Sequence, residues 1–132
     1  MKFVSALMAV IIPATAALAT TLELSVPGGG AVYLPGSETM VRLAAVQDVR
    51  CPSTADCVWE GTIRVELELA VPGDPPDVVV LCNACEDATR TAHYGRHTLT
   101  LLRLEPGREV LDPMGRSTAL QDYTVVLAVE WQ

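Results

Sequence analysis

Residues 62–71, Thr62-Ile63-Arg64-Val65-Glu66-Leu67-Glu68-Leu69-Ala70-Val71, decide the fold. Ile63, Val65, Leu67, Leu69 and Val71 fall on one side of an extended chain, Arg64, Glu66 and Glu68 on the other. Successive side chains of a strand point to opposite faces, so this period of two describes a strand with one dry side. The C-terminal run repeats the pattern: Tyr123, Val125, Leu127, Val129 and Trp131 share a face, with Thr124, Val126, Ala128 and Glu130 opposite.

Outward from these two runs, strands are predicted over residues 22–26, 31–34, 39–48, 78–82 and 98–104. Turn formers separate them: Pro27-Gly28-Gly29-Gly30, Pro35-Gly36, Pro72-Gly73-Asp74-Pro75-Pro76 and Glu105-Pro106-Gly107. Short strands punctuated this regularly specify an all-β fold, an antiparallel β-sandwich of about seven strands, immunoglobulin-like or a related Greek key. Little or no helix is expected; Ser117 to Asp122 is compatible with one short helix before the last strand. No repeat, low-complexity tail or linker divides the chain.

Residues 1–19 read as a signal peptide and 20–132 as a single domain. Met1-Lys2 gives a positive start, Phe3 to Ala17 is almost unbrokenly apolar, and Ala17-Leu18-Ala19 is the small-x-small pattern of a cleavage site after Ala19. An apolar run of about 15 residues falls short of the ~20 that a membrane span needs. Thr20, not a cysteine, follows the cut, so no lipid anchor is signalled there. The mature chain is therefore expected in the periplasm or outside the cell, without a membrane span. The full chain carries a net charge of −7, and its one lysine, Lys2, lies in the leader, leaving −8 on the rest. Polyanion binding needs clustered cations, so nucleic acid is excluded as a partner.

All four cysteines, Cys51, Cys57, Cys82 and Cys85, lie beyond the leader. Export places them where paired thiols persist as disulfides. Three connectivities are possible and spacing alone does not choose. Local bridges, Cys51 with Cys57 and Cys82 with Cys85, would contribute roughly 2.4 and 1.9 kcal/mol by loop entropy, against roughly 3.5 for Cys57 with Cys82. The difference leaves geometry to decide, and a local Cys51–Cys57 staple that cinches the connection between two strands is the expected arrangement.

The segment Asp48-x-Arg50-Cys51-Pro52-x3-Asp56-Cys57-Val58-Trp59-x-Gly61 resembles the signature of a family of small uncharacterised bacterial secreted proteins and lipoproteins. There the pattern reads approximately D-S-R-C-P, a short turn, then C-x-W-A-G. The chain departs from it at Val49, Thr54-Ala55 and Glu60, and keeps the cysteine spacing. The resemblance covers about fourteen residues and implies a β-sandwich-like exported domain, with no activity attached.

Other constellations are weaker. Cys82-Asn83-Ala84-Cys85 is a C-x-x-C, but redox-active pairs sit at helix N-termini, and Glu86-Asp87 would oppose a thiolate. Cys82, Cys85, His93 and His97 have pair spacings that zinc accepts, with a middle segment shorter than a finger's and no helix to carry the histidines. Asp48, Asp56, Glu60, Glu86 and Asp87 are carboxylates that a weak calcium site would use, without a regular loop pattern. No Gly-x-Ser-x-Gly elbow occurs, and with His93 and His97 the only imidazoles, no catalytic residue is expected. Few aromatic residues are left to form a sugar-stacking face.

The expected role is thus an exported non-enzymatic module, binding or structural, with no cofactor. A loop carrying Arg50, Pro52, Asp56, Trp59 and Glu60, preorganised by its staple, would present itself to an envelope or extracellular protein. The alternative is a metal-binding or thiol-redox protein built on Cys82, Cys85, His93 and His97.

Overall fold

Among the described residues, period-two patterning becomes eight strands: β1 (Thr20–Pro27), β2 (Ala31–Tyr33), β3 (Met40–Arg50), β4 (Gly61–Ala70), β5 (Asp77–Cys82), β6 (Thr91–Tyr94), β7 (His97–Glu105) and β8 (Thr124–Trp131). A 3-10 turn, Leu120–Asp122, precedes β8. The structure is a computed structural model describing residues 10–16, 18–51, 56–58, 61–107 and 119–132. The strands form two four-stranded sheets, ordered β1-β8-β7-β6 and β2-β3-β4-β5, with every ladder antiparallel. The expected all-β sandwich is what forms. Its connectivity is simpler than an immunoglobulin-like Greek key, because round the two sheets the strands lie in chain order, with seams between β1 and β2 and between β5 and β6. The additional strand is β6, half of a hairpin closed by Gly95-Arg96.

Both inner faces meet in one core, Val41, Leu43, Val65, Leu67, Leu69 and Leu81 from one sheet against Val26, Leu99, Leu101, Val125, Leu127 and Val129 from the other. At about 25 cal/mol per Å² of apolar surface removed from water, this core is the main source of stability. Two register breaks shape it. In β3 the pairing shifts between Leu43 and Ala45, so the inward set changes from Val41 and Leu43 to Val46, Asp48 and Arg50. In β7 it shifts between Leu101 and Arg103, so inward Leu99 and Leu101 give way to Leu104 while Leu102 stays exposed. A bulge adds one residue to one strand and re-aims those beyond it. The β3 bulge thus turns a charged pair toward the core.

The two ends of the sandwich differ. One end is closed by the short connections 34–39, 71–76 and 95–96. There His97 Nε2 lies 2.7 Å from the Pro35 carbonyl, which only accepts, so Nε2 carries the proton. The His97 ring stacks on Trp131 with centroids 6.2 Å apart, and Arg96 donates to the Gly36 carbonyl at 3.0 Å. This lock ties the β2–β3 turn to the opposite sheet. From the other end leave the longer connections 51–60, 83–90 and 106–123.

Candidate functional site

Both disulfides lie at the end with the longer connections. Cys51 bonds Cys57 with Cα atoms 5.9 Å apart, and Cys82 bonds Cys85 with Cα atoms 5.7 Å apart, which is the local connectivity. All four sulfurs are used. Cys51 directly follows β3 and is buried, whereas Cys57 is exposed, so the first staple fixes the loop base against the sandwich and leaves its far side in solvent.

The loop base is held further by Asp48 and Arg50, two residues apart and so on one side of β3. Arg50 Nε donates to Asp48 Oδ1 and its terminal nitrogen to Oδ2, both at 2.7 Å, a bidentate pair with side chains only 8% and 10% exposed. The remaining guanidinium donors reach the carbonyls of Leu104 at 3.2 Å and Pro106 at 3.0 Å, at the end of β7 in the other sheet. Tyr123, at the approach to β8, donates its hydroxyl to Asp48 Oδ2 at 3.0 Å. Planar fork geometry lets arginine serve a carboxylate and two carbonyls at once. The D-x-R motif is therefore an inter-sheet clamp at the root of the stapled loop.

Burial pushes the Asp48 carboxyl up, but the Arg50 side-chain and backbone hydrogen bonds, the guanidinium charge and the Tyr123 hydroxyl outweigh it, so its pKa lies below the ordinary 3.8. A depressed folded value stabilises the native state above the unfolded pKa, and that stabilisation is lost as pH falls through the folded one. Urea titrations between about pH 2 and 5 should accordingly show the stability gap between wild type and Asp48→Asn shrinking as pH drops below 3.8.

The Cys82–Cys85 turn is built into the sheet. Asn83 Oδ1 accepts from the Ile63 N–H at 2.7 Å and the Asn83 N–H donates back to the Ile63 carbonyl at 3.2 Å, continuing the β4–β5 ladder past the end of β5. Cys82 N–H closes the loop on the Thr89 carbonyl at 2.9 Å. Asn83→Ala should cost roughly 1 to 2 kcal/mol, because it strands the half-buried Ile63 N–H; chemical denaturation measures it. Beside this turn Asp87 receives Arg64 at 2.9 Å, and that hydrogen bond holds its pKa down at the surface.

Among the described residues the metal site of the alternative reading does not assemble. Cys82 and Cys85 are bonded to each other, so neither offers a thiolate, and His97 is turned to Pro35 at the opposite end. His93 is exposed on β6, its Nδ1 3.1 Å from Thr98 Oγ1. The C-x-x-C follows a strand, without the helix N-terminus that lowers a thiol pKa. The carboxylates considered for calcium also disperse: Asp48 is engaged by Arg50, Asp87 by Arg64, and Asp56 and Glu86 are exposed. Among the described residues no three potential ligands cluster.

Of the expected binding loop, Arg50 belongs to the clamp and Asp56 is exposed, while Pro52, Trp59 and Glu60 lie outside the described residues, as do Ser117 and Thr118 of the expected helix and Ala17 of the leader. Exposed apolar positions that the sequence reading passed over are Val58, 97% exposed beside Cys57, and Val49, 54% exposed next to the clamp. Among the described residues no helix is long and apolar enough to cross a membrane. No family model, curated protein or solved structure matches the chain.

Proposed function

We propose that the chain is an exported, non-enzymatic β-sandwich module that binds a protein of the envelope or exterior through its stapled end. The observation carrying this reading is the asymmetry of the ends. Both disulfides and the Asp48–Arg50 clamp fix the end with the longer connections, while Val58 stands there almost fully exposed. Loops on a rigid scaffold are the usual bearers of recognition, and a loop fixed in advance loses less entropy on docking. Export is supported by the leader pattern, by the two cystines, and by β1 beginning at Thr20, the residue after the expected cut. Val10, Ile11, Ile12 and Leu18 are each more than 80% exposed, as befits residues outside the folded unit.

The test is affinity capture from the envelope fraction, comparing wild type with Val58→Asp and, as a control at the other end, Tyr33→Asp, at a residue 66% exposed beside the 34–39 turn. A partner retained by wild type and Tyr33→Asp but lost by Val58→Asp, with melting temperatures unchanged, is the expected result. Equal capture by all three chains would refute the assignment.

A further inference from the structure

The two cystines differ in how a third sulfur can reach them. Thiol–disulfide exchange is an in-line displacement: the incoming thiolate approaches the attacked sulfur from the side opposite the sulfur that leaves. In the first bridge Cys57 is exposed and lies beyond the end of the ladder, whereas Cys51 is only 6% exposed at the end of β3. Cys57 is therefore the half of the bridge that meets solvent, and Cys51 the half that the sandwich covers. In the second bridge Cys82 is 1% exposed, Cys85 is partly covered, and the turn is held by the Asn83–Ile63 and Cys82–Thr89 hydrogen bonds.

We infer that Cys57 is a site of covalent modification by thiols, and that the Cys51–Cys57 staple opens selectively while the fold persists. A soluble thiolate attacks Cys57 Sγ; its S–S bond to Cys57 forms as the Cys57–Cys51 bond breaks, and Cys51 leaves as a thiolate that takes a proton from solvent. A second thiolate can attack the sulfur it resembles, releasing Cys57 as thiolate and leaving the two incoming thiols joined as a disulfide. The incoming thiol is oxidised and the protein cystine reduced, so the electrons balance. The sandwich has reason to survive, because the Asp48–Arg50 clamp, the core and the second cystine do not depend on the first. What changes is the loop between Cys51 and Cys57, which loses its covalent closure. This inference is independent of the proposed binding role.

Reduced glutathione is the probe. The folded protein is incubated with it, quenched in acid, alkylated and mapped by peptide mass spectrometry, with circular dichroism recorded alongside. The expected products are a glutathione adduct on Cys57 and an alkylated Cys51, formed on the order of tenfold or more faster than any opening of Cys82–Cys85, with the β-sheet signal retained. The variant Cys82→Ser/Cys85→Ser should give the same adduct. An adduct mainly on Cys51, opening of Cys82–Cys85 first, or opening of both only together with loss of the sheet signal would overturn the inference.

Discussion

Replacing Arg50 by leucine should lower stability by about 3 to 5 kcal/mol, the range for removing one partner of a buried ion pair. The cost has two sources. Asp48 would keep its charge in a nearly enclosed site with only the backbone N–H of residue 50 and the Tyr123 hydroxyl to answer it, and the Leu104 and Pro106 carbonyls would lose their donors. A melting temperature reduced by roughly 10 °C or more is the corresponding thermal result. The pH dependence gives a sharper signature. Burial acts upward on the Asp48 carboxyl, and the Arg50 side-chain hydrogen bonds and charge are among the influences that hold it down. Arg50→Leu removes those two and leaves the backbone N–H and the Tyr123 hydroxyl, so the carboxyl titrates higher than in wild type. The wild type keeps its full advantage above both folded values, and the deficit of Arg50→Leu narrows as pH falls between them towards the wild-type value. A deficit that stays constant from neutral pH down to about pH 3 would mean that the pair is ornamental. The double variant Asp48→Leu/Arg50→Leu should be less damaged than the sum of its single variants, as a direct coupling requires.

The second large effect belongs to the first cystine. Cys51→Ser/Cys57→Ser together should cost on the order of 2 to 4 kcal/mol through the freed loop entropy of the unfolded chain and the loss of packing at buried Cys51. Denaturant midpoints should move with little change in slope, since the surface exposed on unfolding is nearly the same. An unchanged melting temperature would count heavily against a staple. This loss should be close to additive with that of Asn83→Ala, whose hydrogen bonds belong to the other cystine turn.

The strand with one dry side, Thr62 to Val71, was legible because each alternate residue agrees; in the structure it is β4, with Val65, Leu67 and Leu69 fully buried. The sandwich followed from the turn formers between such runs. The edge strand β6, fourth in the sheet β1-β8-β7-β6, escaped because four residues, Thr-Ala-His-Tyr, carry too little alternation to register. The bulges were visible in principle. Val41 and Leu43 keep one phase and Val46 the other, with Ala44-Ala45 at the break, and Leu101-Leu102-Arg103-Leu104 shows the same slip. Without seeing that slip, Asp48 and Arg50 fall on the solvent side and read as a loop motif or a calcium ligand. Their true partners, Leu104, Pro106 and Tyr123, are more than fifty residues away, and no local pattern announces a contact of that range. The cystines were legible as local closures because export favours paired thiols and a Cys51–Cys57 bridge cinches the connection between two predicted strands.

In this molecule sulfur and charge serve architecture: two cystines and the buried Asp48–Arg50 pair hold one end of the sandwich. The most direct measurement is to isolate the chain from the envelope, quench in acid, alkylate without reductant and map the peptides. Peptides linked through Cys51–Cys57 and Cys82–Cys85, with no alkylated Cys82 or Cys85, are the expected result. Alkylated Cys82 and Cys85, or zinc retained on their thiolates, would contradict it.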